Sequence, residues 1–198
     1  MIKNVIFDIG NVLLDFCWKD HIARFGFQGE KADRIAQAMM LGPIWPKLDL
    51  GLESDEDILE QFVAHMPELE QEIRLVFSDL STIVREYEGS VDWIESLKAR
   101  GYHTYYLSNY GERIRREASK ELSFLSHMDG GIMSYTVHLA KPDPAIYQTL
   151  LDRYGLKAEE CVFLDDTVRN VEAAQALGIA GIVVTSQEQA KKELETLL

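Results

Sequence analysis

The chain has 198 residues, 46% of them hydrophobic and 27% charged, which suits one sizeable core plus a smaller insertion and excludes a disordered chain. A formal net charge of -13 sets it against phosphate backbones and anionic lipid surfaces, and the small basic cluster Arg113, Arg115 and Arg116 does not reverse that, so neither nucleic acid nor membrane is an expected partner. The two cysteines, Cys17 and Cys161, have no CxxC or Cys/His spacing, which argues against a disulfide framework and a zinc site.

In chain order, MIKNVIFDIG runs directly into a strand over Asn4 to Phe7 instead of through a signal-peptide apolar region. No apolar run reaches transmembrane length, and a cytoplasmic protein is expected. From about Phe16 to Tyr87 the pattern is helical, with no convincing strand. Within it, Ser54-Asp55-Glu56-Asp57 ahead of Ile58, Leu59, Phe62 and Val63 reads as an N-cap, an acidic first turn and an amphipathic helix. Gly42-Pro43 and Gly51 interrupt the segment. Beyond it, helix and strand alternate: a helix over Val91 to Ala99, a strand over His103 to Leu107 and a helix over Ala145 to Tyr154. A strand over Glu160 to Leu164, a helix over Asn170 to Leu177 and a strand over Gly181 to Val184 follow. Glycines 101, 155 and 178 punctuate the helix ends, where a left-handed cap is required. The tail from Ser186 to Leu198 reads as a charged amphipathic helix that packs on the body. The alternation predicts an α/β protein with a doubly wound parallel sheet. Its core is expected over 1–15 and 88–198, with a helical lid inserted over 16–87.

Four places carry chemistry, each just beyond the carboxyl end of a predicted strand, the edge at which open parallel sheets bind ligands. Asp8, in Phe7-Asp8-Ile9-Gly10-Asn11, ends a strand where a carboxylate serves as nucleophile, metal ligand or simple Asx-turn. Ser108 and Asn109 offer donors suited to phosphate oxygens, or a turn and helix cap. Lys141, held before Pro142, points at negative charge or at solvent. Asp165 and Asp166 repel one another unless a cation or a helix start relieves them. Four such signals in fixed order are hard to obtain from turn chemistry alone.

The order Asp, Ser, Lys-Pro, Asp-Asp, with a helical insertion after the first strand, resembles the haloacid dehalogenase superfamily over essentially the whole chain. DIGNVL, LSN, KPDPAIY and LDDTVRNVEAAQALG are similar to a bacterial subgroup that includes the α-D-glucose-1-phosphate phosphatases. The resemblance implies a Rossmann-like parallel-sheet core with a helical cap, and a Mg2+-dependent phosphomonoester hydrolase acting on a small phosphorylated metabolite. It makes Asp8 the nucleophile and a metal ligand through an aspartyl-phosphate intermediate, and the Gly10 carbonyl a second ligand. It gives Ser108 and Asn109 to the phosphate, and Lys141 to charge compensation on both Asp8 and the phosphate. Asp165 and Asp166 would hold the metal directly or through water, with Asn11 and Asn170 supporting. A monomer or homodimer fits equally.

The family's phosphatases carry a second aspartate two residues after the nucleophile, as general acid and base, and this chain has Gly10 there. That is compatible with a substrate whose leaving group needs little protonation, such as a sugar 1-phosphate, or with a proton from the lid, where His21 and Asp15 are nearest in sequence. It is also compatible with a phosphate-binding member that turns over poorly. A 2-haloacid dehalogenase is the alternative enzyme on the same scaffold. The aromatic residues Trp18, Phe25, Trp45 and Trp93 would line an apolar ledge over the cleft or belong to the core.

Overall fold

A computed structural model describes all residues, 1–198. The chain starts with β1 (Asn4–Phe7), fully buried, and a short β2 (Leu14–Phe16). Five helices follow: α1 (Trp18–Arg24), α2 (Gly29–Ala38), α3 (Trp45–Leu50), α4 (Asp55–His65) and α5 (Glu70–Phe77). Then come β3 (Val84–Glu86), α6 (Ser90–Ala99), β4 (His103–Ser108), α7 (Glu112–Glu117) and β5 (Gly130–Met133). The last third holds α8 (Pro144–Tyr154), β6 (Cys161–Asp165), α9 (Val168–Ala176), β7 (Ala180–Val183) and α10 (Gln187–Glu195). No helix is long and apolar enough to cross a membrane.

The main sheet has the order β5-β4-β1-β6-β7 with every pairing parallel. β1 is central because it has bulky apolar side chains on both faces, as a doubly covered strand requires. Val5 and Phe7 face one apolar cluster, shared with α6 and α10, and Ile6 faces the other, formed with α8 and α9. Phe7 pairs with Tyr106 on one side and Leu164 on the other, so the residues next in line emerge together at one rim. After β5 the chain returns to the other side of β1, which places that rim at the point where strand order reverses.

Two features of the fold differ from the sequence reading. β3 lies inside the segment read as strand-free and pairs antiparallel with β2, so a two-stranded ribbon carries the chain out to the five helices and back. Three residues, only the first of them buried, leave too short a pattern to distinguish from a turn. β5 also went unread, because Asp129-Gly130-Gly131 has the composition of a turn. Its glycines answer to packing: a Cβ on Gly131 would sit 2.3 Å from the Tyr106 carbonyl oxygen and 2.4 Å from its ring.

Helix α4 begins where its acidic first turn predicted, with the Ser54 hydroxyl accepting from the Asp57 amide at 3.1 Å. Side chains of the core hold the returning segment: the Leu80 amide donates to Glu117 at 2.7 Å and the Glu86 amide to Glu121 at 2.9 Å. Apolar residues of the helical segment, among them Ile35, Phe62 and Phe77, join the same cluster as Val5 and Phe7. Trp93 belongs to that core, meeting Phe7 edge to face with ring centroids 4.9 Å apart. His21 is fully buried and bonds to the Thr82 hydroxyl at 2.9 Å.

Gly131→Ala should destabilise the protein by about 1–3 kcal/mol, the usual range for overpacking. The check is a lower urea midpoint at unchanged m-value.

Candidate active site

The parallel register delivers three acidic side chains to one place. Asp8 follows β1, its amide bonded to the Leu164 carbonyl at 2.8 Å, and Asp165 ends the neighbouring β6. Asp166 is the next residue. One ligand oxygen from each of Asp8, Asp165 and Asp166 lies within 4.8 Å of the others. Asp8 and Asp165 are 7% and 0% exposed, so their mutual repulsion is not relieved by water.

Lys141 stands against that repulsion. Only 4% exposed, it reaches Asp8 Oδ1 at 2.8 Å and Asp165 Oδ2 at 2.6 Å. Burial opposes its charge, yet the two carboxylates hold its pKa above the ordinary lysine value. The Asp8 pKa is raised to about 6, by burial first and by the Asp165 charge, against the lowering pull of Lys141. The Ile9 amide donates to the same Oδ1 at 2.7 Å, leaving both of these contacts on one oxygen of Asp8.

Neighbouring side chains fix these groups. Asn109 uses its side-chain amide to clamp the Lys141 backbone, donating to its carbonyl at 3.0 Å and accepting from its amide at 2.8 Å. Asn170 donates to both oxygens of Asp165 at 3.1 Å, and the Thr167 amide donates to Asp165 Oδ1 at 2.7 Å. Asn11, in the left-handed region at φ 55, sends its side-chain amide to Asp166 Oδ2 at 2.8 Å. Ser108 is buried at the end of β4, beside Asp8. The residues of the four strand-end motifs, Gly10 included, therefore gather at one rim: Asp8, Gly10, Asn11, Ser108, Asn109, Lys141, Asp166 and Asn170 line a single cavity of about 250 Å³, with Asp165 directly behind it.

The donor set suits a hard divalent cation. Three carboxylates converge with one lysine between two of them, and oxygen is the only ligand type present. One buried atom points the same way: Asn170 Oδ1 has no hydrogen-bond partner.

The helical segment roofs the cavity with Phe16, Trp45 and Asp49. The two lid residues named from the sequence as proton donors do not reach the cavity. His21 is bonded inside the helical segment against Thr82 and Val76, and Asp15 lies in β2 next to Cys17. Neither lines the cavity: Leu14 and Phe16 of β2 do, so Asp15 between them is turned to the opposite face of the ribbon, and His21 is packed inside the helical segment. Asp49 lines it instead. Its carboxyl is raised to about 7, by enclosure first and then by the Asp8 charge, against the opposing pull of Lys141. The signal available in the sequence was Leu48-Asp49-Leu50, an acid amid leucines in the last turn of a helix, where the dipole disfavours negative charge. Tyr110, also missed, lines the cavity while its buried hydroxyl has no partner. Of the aromatic residues weighed for a ledge, Trp45 is in the cavity wall, whereas Trp18, Phe25 and Trp93 pack elsewhere.

With this geometry established, comparison with known proteins gives a consistent result. A family model for haloacid dehalogenase-like hydrolases matches residues 2–178. Acyl-CoA dehydrogenase family member 10 of Mus musculus is 32% identical over 99% of the chain, which spans only 19% of that protein's length. A sesquiterpene phosphatase of Aspergillus oryzae is 25% identical, covering 99% of this chain and 96% of its own. Among solved structures, a haloacid dehalogenase-family enzyme of Bacteroides thetaiotaomicron in complex with magnesium and inorganic phosphate superimposes with TM-score 0.72 at 23% identity. The alignment covers 94% of this chain and 96% of that one, a likeness of fold.

Lys141→Met should cost about 3–5 kcal/mol, the range for leaving buried charge unpaired. Adding Asp165→Asn to that variant should cost less than Asp165→Asn costs in the native background, since the pair is coupled. Chemical denaturation of the four proteins reads both effects.

Proposed function

Because the chain belongs to the haloacid dehalogenase-like hydrolase family, we propose that it is a Mg2+-dependent phosphomonoester hydrolase acting on a small phosphorylated metabolite through a phosphoryl group carried on Asp8. The observation that carries this reading is the convergence of Asp8, Asp165 and Asp166 within 4.8 Å beside Lys141. Three carboxylates held that closely call for a divalent cation, which a carbon-halogen displacement does not need. The dehalogenase alternative is disfavoured on that ground.

In this reading Asp8, Asp165 and Asp166, with the Gly10 carbonyl, would hold magnesium, which supplies Lewis-acid charge to the phosphoryl oxygens. The protein's own groups do the rest. Asp8 uses Oδ1 to take the Lys141 and Ile9 contacts, and its carboxylate attacks phosphorus. Ser108, buried beside Asp8, donates to a phosphoryl oxygen, and Lys141 offsets charge as it spreads over the equatorial oxygens. Asn109 does its work at one remove, by fixing the Lys141 backbone. Asn170 and Asn11 hold Asp165 and Asp166 in place, as the partners of metal-binding carboxylates do. The helical roof closes over a cavity of about 250 Å³, a size suited to a phosphate with a small organic group. The sequence likeness to glucose-1-phosphate phosphatases makes a sugar 1-phosphate the first candidate.

Phosphate release from 4-nitrophenyl phosphate should require Mg2+ and should be abolished by Asp8→Asn; release that survives either a chelator or that substitution refutes the proposal. Asn11→Ala, which frees Asp166, should raise the Mg2+ concentration for half-maximal activity by about 10–100-fold, the usual effect of removing such a support. A panel of sugar phosphates should favour 1-phosphates over 6-phosphates in kcat/KM.

A further inference from the structure

We infer that Asp49, supplied by α3 in the helical roof, is the proton donor to the leaving-group oxygen and the base for the attacking water, in the role that Gly10 leaves vacant. The inference rests on the phosphohydrolase reading above. Besides Asp8 and Asp166, Asp49 is the only carboxyl in the cavity wall, and the wall has no histidine. Lys141 is committed to Asp8 and Asp165, and Gly10 has no side chain. Arg169 holds its proton too tightly to give it up.

The Asp49 carboxyl takes part in no hydrogen bond or ion pair in the folded protein, so its proton is not committed elsewhere. Its place is fixed from the other side of the cavity. The buried Ser134 hydroxyl donates to the Asp49 carbonyl at 2.5 Å and accepts from the Tyr110 amide at 2.9 Å, joining roof and core through one oxygen. His138 meets the Leu50 carbonyl at 2.9 Å, and Gly51 lies against Tyr135 so closely that a Cβ there would be 2.8 Å from the Tyr135 Cβ. A helix end held at three points presents its last-turn acid at a defined spot over the rim. Asp49 is close enough to Asp8 and Lys141 to feel both charges. Close by, the hydroxyl of Tyr110, a residue only 5% exposed, is without a partner and lies within reach of the Asp49 charge. Enclosure keeps the Asp49 carboxyl protonated into the neutral range, in which a general acid is most useful.

The steps balance. In the first, an Asp8 oxygen forms a bond to phosphorus while the bond from phosphorus to the leaving oxygen breaks, its electron pair going to that oxygen, which takes the Asp49 proton and departs as an alcohol. In the second, a water oxygen bonds to phosphorus while Asp49 takes one of its protons. The bond between phosphorus and Asp8 breaks toward Asp8, giving inorganic phosphate, the Asp8 carboxylate and protonated Asp49.

The test compares two esters of similar shape, 4-nitrophenyl phosphate, whose leaving group needs no proton, and benzyl phosphate, whose alkoxide does. With Mg2+ present, Asp49→Asn should lower kcat/KM for benzyl phosphate by about 10²–10⁴-fold, the usual range of general acid help, and leave that for 4-nitrophenyl phosphate far less changed. It should also turn nitrophenol release into a burst followed by slow turnover, because the water then lacks its base. A Cβ at Gly10 would meet no atom within 4 Å, so Gly10→Asp begins in open space. Added to Asp49→Asn, it should restore benzyl phosphate turnover. The ratio of the two esters on one preparation is independent of how much protein is folded. Equal losses for both esters, or no loss for either, overturn the role of Asp49 while leaving the phosphohydrolase reading intact. A wild-type protein inactive on both esters would overturn that reading and this inference together.

Discussion

The site depends on one buried ammonium group. Lys141 lies between Asp8 and Asp165, all three almost entirely out of water, and without it two carboxylates would face each other across adjacent strands. Burial of charge is tolerated only when paired and hydrogen-bonded. The surroundings meet that condition: Asn109 fixes the lysine's backbone, Asn170 and the Thr167 amide cover Asp165, and the Ile9 amide covers Asp8. Asp166, only partly buried, then adds a further negative charge at the cavity, and this residual excess suits the rim to a cation.

The sheet makes that arrangement possible by register. β1 is flanked by β4 and β6 with its last residue opposite Tyr106 and Leu164, so three strands end at nearly the same height. A slip of one residue would turn Asp8 or Asp165 to the opposite face. The bulky alternation of Val5, Ile6 and Phe7 between two apolar clusters fixes the register of β1, and thereby the spacing of the acids.

The helical insertion is packed into the same apolar cluster as one face of the sheet, and its approach to the rim is tied at Ser134, His138 and Gly51. The ribbon of β2 and β3 is its covalent stem. A roof attached in this way both encloses the cavity and contributes polar groups to it, which gives a family scaffold a means of varying its chemistry without changing the strand ends.

The sequence by itself determined the βα alternation, the helix stops at Gly101, Gly155 and Gly178, and the polar residues at the strand ends, since each is a local signal: a hydrophobic period, a left-handed turn, an acid where a strand stops. It also put Asp8, Ser108 and Asp165 at one rim, because parallel strands joined by right-handed crossovers must end together, whereas Lys141 follows the unread β5 and reached that rim only through the family resemblance. β5 and the ribbon stayed hidden, being three or four residues long and glycine-rich or irregular in burial. Only the tertiary structure decided which roof residue meets the rim. Asp15 and His21 are nearest to Asp8 along the chain, yet strand alternation turns Asp15 away from the cavity and packing buries His21, while Asp49 returns across more than forty residues because Ser134 and Tyr135 hold its helix end. Local pattern reports how a segment folds, whereas the meeting of two distant segments depends on packing between surfaces that no stretch of sequence contains.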